Sequence, residues 1–226
     1  MKTLRLSPIH DVLQSLDGSW QDLNGMPSLV AMPNEAAIAP HLGIADLSCL
    51  TRFGVKGANA AVWLESQGIV IPDRPNTWNP LPDGGIIARL GLTEFLLEDS
   101  LHSHIAPQLA EACQQPPAKV YPVLRQDAAI VLCGADVNEL LLQICSVNFR
   151  ALSLVERPVV LTSMVGVTVT MIPSDRNGQP FYRLWCDGTF GVYLWQTLLA
   201  IVEELGGGAI GVPNSCNGSP TGQAAS

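Results

Sequence analysis

The sequence predicts an α+β protein: two βαββα units whose antiparallel sheets carry their helices on one side. Three observations predict it. A strand, a glycine turn and a helix start occur twice in register, since Val55-Lys56-Gly57-Ala58-Asn59 matches Leu132-Cys133-Gly134-Ala135-Asp136 and Leu64 matches Leu141. Each copy continues into two β-rich stretches and a second helical one. With 47% hydrophobic residues in 226, the chain can bury a core of that size.

Residues 1–50 read as a lead-in arm rich in turn-formers, with one helical stretch over 9–16 that Ser7 caps and Pro8 opens. A domain over 51–205 follows, its repeats at about 51–115 and 126–205. In the first repeat 50–55 is a strand, Gly57 a tight turn and 59–64 the opening of a helix. Gly, Pro, Asn and Asp punctuate 68–85; 86–90 and 94–97 then form a hairpin about the turn 91–93. Ile105, Leu109 and Ala112 sit one helical turn apart and define the closing helix. In the second repeat 128–132 is a buried strand, Gly134 turns it, and Asp136 with Glu139 makes a D-x-x-E capping pattern before a helix over 137–144. The stretches 159–171 and 180–185 are β-rich and flank the turn Pro173-Ser174-Asp175-Arg176-Asn177-Gly178. A helix over 190–205 stops at Gly206, and 206–226, with six glycines and no charge, reads as a flexible tail.

Composition narrows the function. With 12 Lys and Arg against 20 Asp and Glu, the net charge of -8 leaves no cation excess for phosphates, which excludes nucleic acid as a partner. Charged residues are only 14%, so the surface is covered by other means, and a partner chain is the natural one. The six cysteines form no C-x-x-C pair and several lie in apolar runs, as reduced thiols do. With no apolar leader and no 18-residue apolar run, the reading is soluble and cytoplasmic, without a membrane partner. The sequon Asn217-Gly218-Ser219 precedes Pro220 and has no secretory route to serve it.

Candidate chemistry is sparse. Residues 206–211 satisfy G-x-G-x-x-G but trail a helix, whereas a dinucleotide site needs a strand before and a helix after. His102 and His104, two apart, point to different sides of a helix and lack a third ligand at metal spacing. No G-x-S-x-G occurs, and no cysteine has a histidine or cation beside it in sequence. Trp20, Trp63, Trp78, Trp185 and Trp195 read as core and interface, and the helix bearing Trp195 is apolar enough to be buried.

Ser7-Pro8-Ile9-His10, Gly43-Ile44-Ala45-Asp46-Leu47-Ser48 and the strand ending in Gly57 are similar to the opening of the folate-binding aminomethyltransferases, the T-protein family of the glycine cleavage system. The runs Gly68-Ile69-Val70-Ile71-Pro72, Pro75-Asn76-Thr77-Trp78, Ile87-Ala88-Arg89-Leu90-Gly91, Glu94-Phe95-Leu96-Leu97 and Tyr193-Leu194-Trp195 resemble a related family, the sarcosine oxidase gamma subunits. The resemblance implies the folate-binding domain fold of aminomethyltransferases. Two family motifs are replaced. Where an Asn-Asp pair should follow the first helix stands Glu65-Ser66-Gln67-Gly68-Ile69, and where Tyr-Thr-Gly-Glu should stand is 173–178. The Lys-Gly-Cys-x-x-Gly-Gln signature of the iron-sulfur repair relatives is also missing.

What the resemblance implies is therefore an accessory subunit without catalytic residues or a metal. Its partners are the other subunits of a flavoenzyme that oxidatively demethylates sarcosine and passes the one-carbon unit to tetrahydrofolate, with FAD and FMN on those subunits; a homo-oligomer is the other partner reading. The alternative is a stand-alone folate-binding protein or diverged aminomethyltransferase. Tetrahydrofolate would then meet Asp46, Ser48 and Asp99, which fall where the resemblance puts the mouth of the site. Their plainer role is as caps and turn residues at strand ends.

Overall fold

The computed structural model describes residues 5–82 and 84–213. It divides into two compact units, one formed by Met1–Cys49 with Gln126–Pro213 and the other by Leu50–Arg125. Before the first crossing lie α1 (His10–Leu13), the hairpin β1 (Ser19–Leu23) and β2 (Met26–Ala31), α2 (Glu35–Ile38) and β3 (Gly43–Asp46). The second unit holds β4 (Arg52–Lys56), α3 (Ala60–Ser66), β5 (Thr77–Pro80), β6 (Ile86–Arg89), β7 (Glu94–Glu98), α4 (Ile105–Ala112) and β8 (Tyr121–Val123). The chain returns through β9 (Ala128–Cys133), α5 (Val137–Ile144), β10 (Val160–Met164), β11 (Val167–Ile172), β12 (Asp175–Arg176), β13 (Gln179–Cys186), α6 (Gly191–Glu204) and β14 (Gly208–Ala209).

The architecture is α+β, and the ladders are antiparallel except for β14 on β3. The second unit's sheet runs β5-β6-β7-β4-β8, and the first unit's main sheet runs β10-β11-β13-β9-β3-β14 with β12 on β13. Strand alternation puts Phe53, Val55, Phe95 and Leu97 on the face that packs Trp63 and Leu64 of α3 and Leu109 of α4. In the first unit Ile130, Leu132, Leu184 and Met171 face Leu140 and Leu141 of α5 and Leu194, Trp195 and Leu198 of α6. Helices thus cover one face of each sheet.

The two strand-turn-helix passages share one physical device. Gly57 has φ +125° and Gly134 φ +108°; a Cβ would sit 2.1 Å from the Lys119 carbonyl oxygen in one and 2.4 Å from that of His41 in the other. The same two carbonyls accept the N–H of Asn59 at 3.2 Å and of Asp136 at 2.9 Å. Only glycine allows the helix start to close on the neighbouring strand this tightly. His41 and Lys119 lie two residues before β3 and β8, which pair with β9 and β4 within their own units.

Several local expectations change. Residues 1–50, read as a lead-in arm, supply the β1–β2 hairpin and a strand internal to the main sheet. Helix α1 is one turn long, ending at Leu13 and not at residue 16. Asp136 stands at the N-cap of α5 but its side chain makes no capping bond: φ -94° and ψ 8° lie outside the extended geometry a cap requires, and Glu139 pairs with Arg150 instead. The stretch 159–171 is two strands, β10 and β11, joined by Val165-Gly166, both at positive φ. At the head of the expected tail, residues 208–212 run beside β3 and β2, through Ile210 N–H to Ile44 O and Val212 N–H to Leu29 O, each 2.9 Å. Residues 214–226, with Cys216 and the sequon, lie outside the described residues.

Candidate functional site

Asp46 and Ser48 are brought together where the chain leaves β3. The Asp46 Oδ1 accepts the Ser48 N–H at 2.9 Å, which bends the backbone as an aspartate turn does. Ser48 is fully buried; its Oγ accepts the Ala129 N–H at 3.1 Å, and its carbonyl accepts the Arg5 guanidinium at 2.8 Å. Leu47 N–H donates to Ala129 O at 2.7 Å. This turn satisfies the backbone of β9 just past the end of its pairing with β3.

Asp99 belongs to the second unit and stands at the exit of β7, 1% exposed. Its N–H donates to Thr51 O at 2.9 Å. One carboxylate oxygen accepts the Ser103 hydroxyl and the other the Ala106 N–H, both at 2.9 Å. Ala106 is in the first turn of α4, whose own N-cap, His104, makes no side-chain capping bond. Asp99 therefore caps α4 from the preceding strand end, placing negative charge at the positive end of the helix. Burial pushes its carboxyl above the ordinary carboxylate value, against the lowering effect of the bonds from Ala106, Ser103 and Ile105 and of the His104 charge.

Other groups escaped the sequence reading. Ser103 is buried between the exposed His102 and His104, and the Asp99 to Ser103 spacing of four was its only signal. Arg52 and Glu98 form an ion pair at 3.3 Å, their side chains 2% and 1% exposed, because the β4–β7 register sets them opposite each other. Arg89 donates to four carbonyls: Pro72 and Asp73 at 3.0 Å, Leu92 at 2.9 Å and Gly91 at 3.3 Å. One planar guanidinium thus ties the loop before β5 to the β6–β7 turn. Among the described residues no cluster of three His, Cys, Asp or Glu side chains suits a metal, and no helix is long and apolar enough to cross a membrane.

The glycine-rich 206–211 segment has a packing role. A Cβ at Gly207 would lie 2.3 Å from Leu42 O, and at Gly211 2.1 Å from the Val30 carbonyl carbon. At both glycines the chain passes against neighbouring backbone where a side chain would not fit.

No family model matches the chain, and no curated protein does. Solved structures share its fold. The glycine cleavage system aminomethyltransferase T of Bartonella henselae superposes on 95% of this chain with a TM-score of 0.73 and 12% identity. This chain spans 61% of that protein's length. A chain of the heterotetrameric sarcosine oxidase of Corynebacterium sp. U-96, solved with pyrrole 2-carboxylate, superposes on 90% of this chain with a TM-score of 0.63 and 18% identity, and 97% of that chain is covered. The fold is that of the aminomethyltransferase-like proteins.

Proposed function

We propose that this chain is an accessory subunit, without catalytic residues of its own, in a heteromeric flavoenzyme of the sarcosine oxidase type. The observation that carries the proposal is coverage: the match takes in 97% of that component of a heterotetramer, against 61% of the aminomethyltransferase. The candidate site supports it. A pterin asks for acceptor oxygens facing its ring N–H donors. Both Asp99 oxygens serve Ser103 and Ala106, the Ser48 hydroxyl serves Ala129, and Asp46 serves Ser48. Their engagement within the fold supports a structural role for the three residues over a tetrahydrofolate site. On this reading the oxidation of sarcosine and the one-carbon transfer fall to larger subunits that carry the flavins and bind tetrahydrofolate.

The test is isolation of the tagged chain from its native cells. Co-elution with a flavin-bearing larger subunit and sarcosine-dependent oxygen uptake is the expected result. A stable monomer near 24.1 kDa with no flavoprotein attached overturns it. The second reading, a stand-alone folate-binding protein, is favoured by the higher TM-score of the aminomethyltransferase; it requires affinity for tetrahydrofolate in the isolated chain.

A further inference from the structure

We propose that the carboxylates of Asp22 and Asp175 guard two Asn-Gly turns of this chain against deamidation, making Asn24 and Asn177 latent modification sites.

The observation is a repeated motif. Asp22-Leu23-Asn24-Gly25 joins β1 to β2, and Asp175-Arg176-Asn177-Gly178 joins β12 to β13. In both, the asparagine and glycine have positive φ, 52° and 76° in one and 55° and 77° in the other, the mirror-image turn that suits a hairpin. In both, the glycine N–H donates to the aspartate Oδ1, at 2.8 Å and 2.9 Å. Both asparagines are exposed to water.

Asn-Gly is chemically labile because glycine has no side chain to shield its nitrogen. That nitrogen, after giving up its proton, attacks the asparagine side-chain carbonyl carbon. The bond from that carbon to the amide nitrogen breaks, and ammonia leaves with the proton. Water then opens the cyclic imide to aspartate or isoaspartate, so the net change is gain of water and loss of ammonia. The aspartate opposes the first step twice. Its hydrogen bond holds the glycine nitrogen in the turn plane, and its negative charge disfavours creating a second anion beside it. Asn24 is held further, its side-chain amide donating to Cys49 O at 3.2 Å. The third Asn-Gly step, Asn217-Gly218, has Ser215 where the others have aspartate, and by sequence lacks the guard.

The full chain is incubated at mildly alkaline pH, and ammonia loss is read at each asparagine by peptide mass spectrometry, alongside synthetic peptides of the two turns. In the parent, Asn24 and Asn177 are expected to react more slowly than in the peptides, with Asn24 the slower. Asp22→Ala is expected to raise the rate about tenfold at Asn24 and to leave Asn177 unchanged, and Asp175→Ala the reverse, a hydrogen bond to a charged group being worth about that factor. Each turn thereby controls for general loosening in the other's variant. Asp22→Asn and Asp175→Asn, which keep an acceptor oxygen, are expected to stay closer to the parent than the alanine variants do. Parent turns as fast as their peptides, variants that leave their own turn's rate unchanged, or both turns accelerating together overturn the proposal.

Discussion

Replacing Asp99 separates a structural carboxylate from a ligand-binding one. Alanine at 99 leaves the Ser103 hydroxyl and the Ala106 N–H without their acceptors, in a place where Asp99 itself is 1% exposed. Each orphaned buried donor costs roughly 1–3 kcal/mol, offset in part by no longer burying a charge, so the net loss is about 2–3 kcal/mol. For a protein of this size that lowers Tm by about 4–12 °C. Asparagine keeps the shape: its oxygen accepts the Ala106 N–H and its amide donates to the Ser103 hydroxyl oxygen, so the cost stays within about 1 kcal/mol. The two proteins differ in pH response. Because burial raises the Asp99 carboxyl above its ordinary 3.8, its contribution is fully present below that value and is lost as pH rises through the folded value. The parent therefore gains stability relative to Asp99→Asn as pH falls from neutral. The assay is thermal unfolding of parent and both variants across the acid range. An Asp99→Ala protein as stable as the parent refutes the cap, and a parent that loses ground to Asp99→Asn on acidification refutes the burial-raised carboxyl.

Gly57→Ala and Gly134→Ala each drive a Cβ into a backbone carbonyl at positive φ and are expected to cost more than about 2 kcal/mol in chemical denaturation, whereas Gly91→Ala, with open space around it, stays within about 0.5 kcal/mol. Arg89→Ala releases two loops from one guanidinium and is expected to cost about 2–4 kcal/mol and to open 72–73 and 91–92 to protease. Arg89→Lys recovers less than half of that, since an ammonium lacks the planar fork. Burial, then the Asp127 and Asp187 charges, push the Cys186 thiol up to about 11. Iodoacetamide at about pH 8 finds about one Cys186 thiol in a thousand ionised, so the half-exposed Cys133 and Cys145 are expected to label before Cys186 in native protein.

What was legible in the sequence was local. Gly57 and Gly134 announced the repeated strand-turn-helix because positive φ leaves a residue signature, and Gly206 ended α6 for the same reason. The hairpin β6–β7 was readable from two apolar runs around a short turn. The β10–β11 turn was hidden because Val165, a β-branched residue at φ +43°, occupies a position where asparagine or glycine is the usual signal. It is held by the Val165 N–H to Ile144 O at 3.0 Å and by the Tyr193 hydroxyl on its own carbonyl at 3.1 Å, both distant in sequence. The pairing of β3 with β9 and of β8 with β4 joins strands more than 60 residues apart, which no window of periodicity reaches. The D-x-x-E pattern at Asp136 misled because spacing does not specify backbone angles. At the candidate site the residue types were readable, but their commitment to Ala129, Ser103 and Ala106 required the fold.

The most direct test of the account is calorimetric titration of the purified chain with tetrahydrofolate. Because the polar groups of Asp46, Ser48 and Asp99 serve the backbone and Ser103, no saturable heat is expected. Saturable binding in the micromolar range that disappears in a folded Asp99→Asn variant would contradict it.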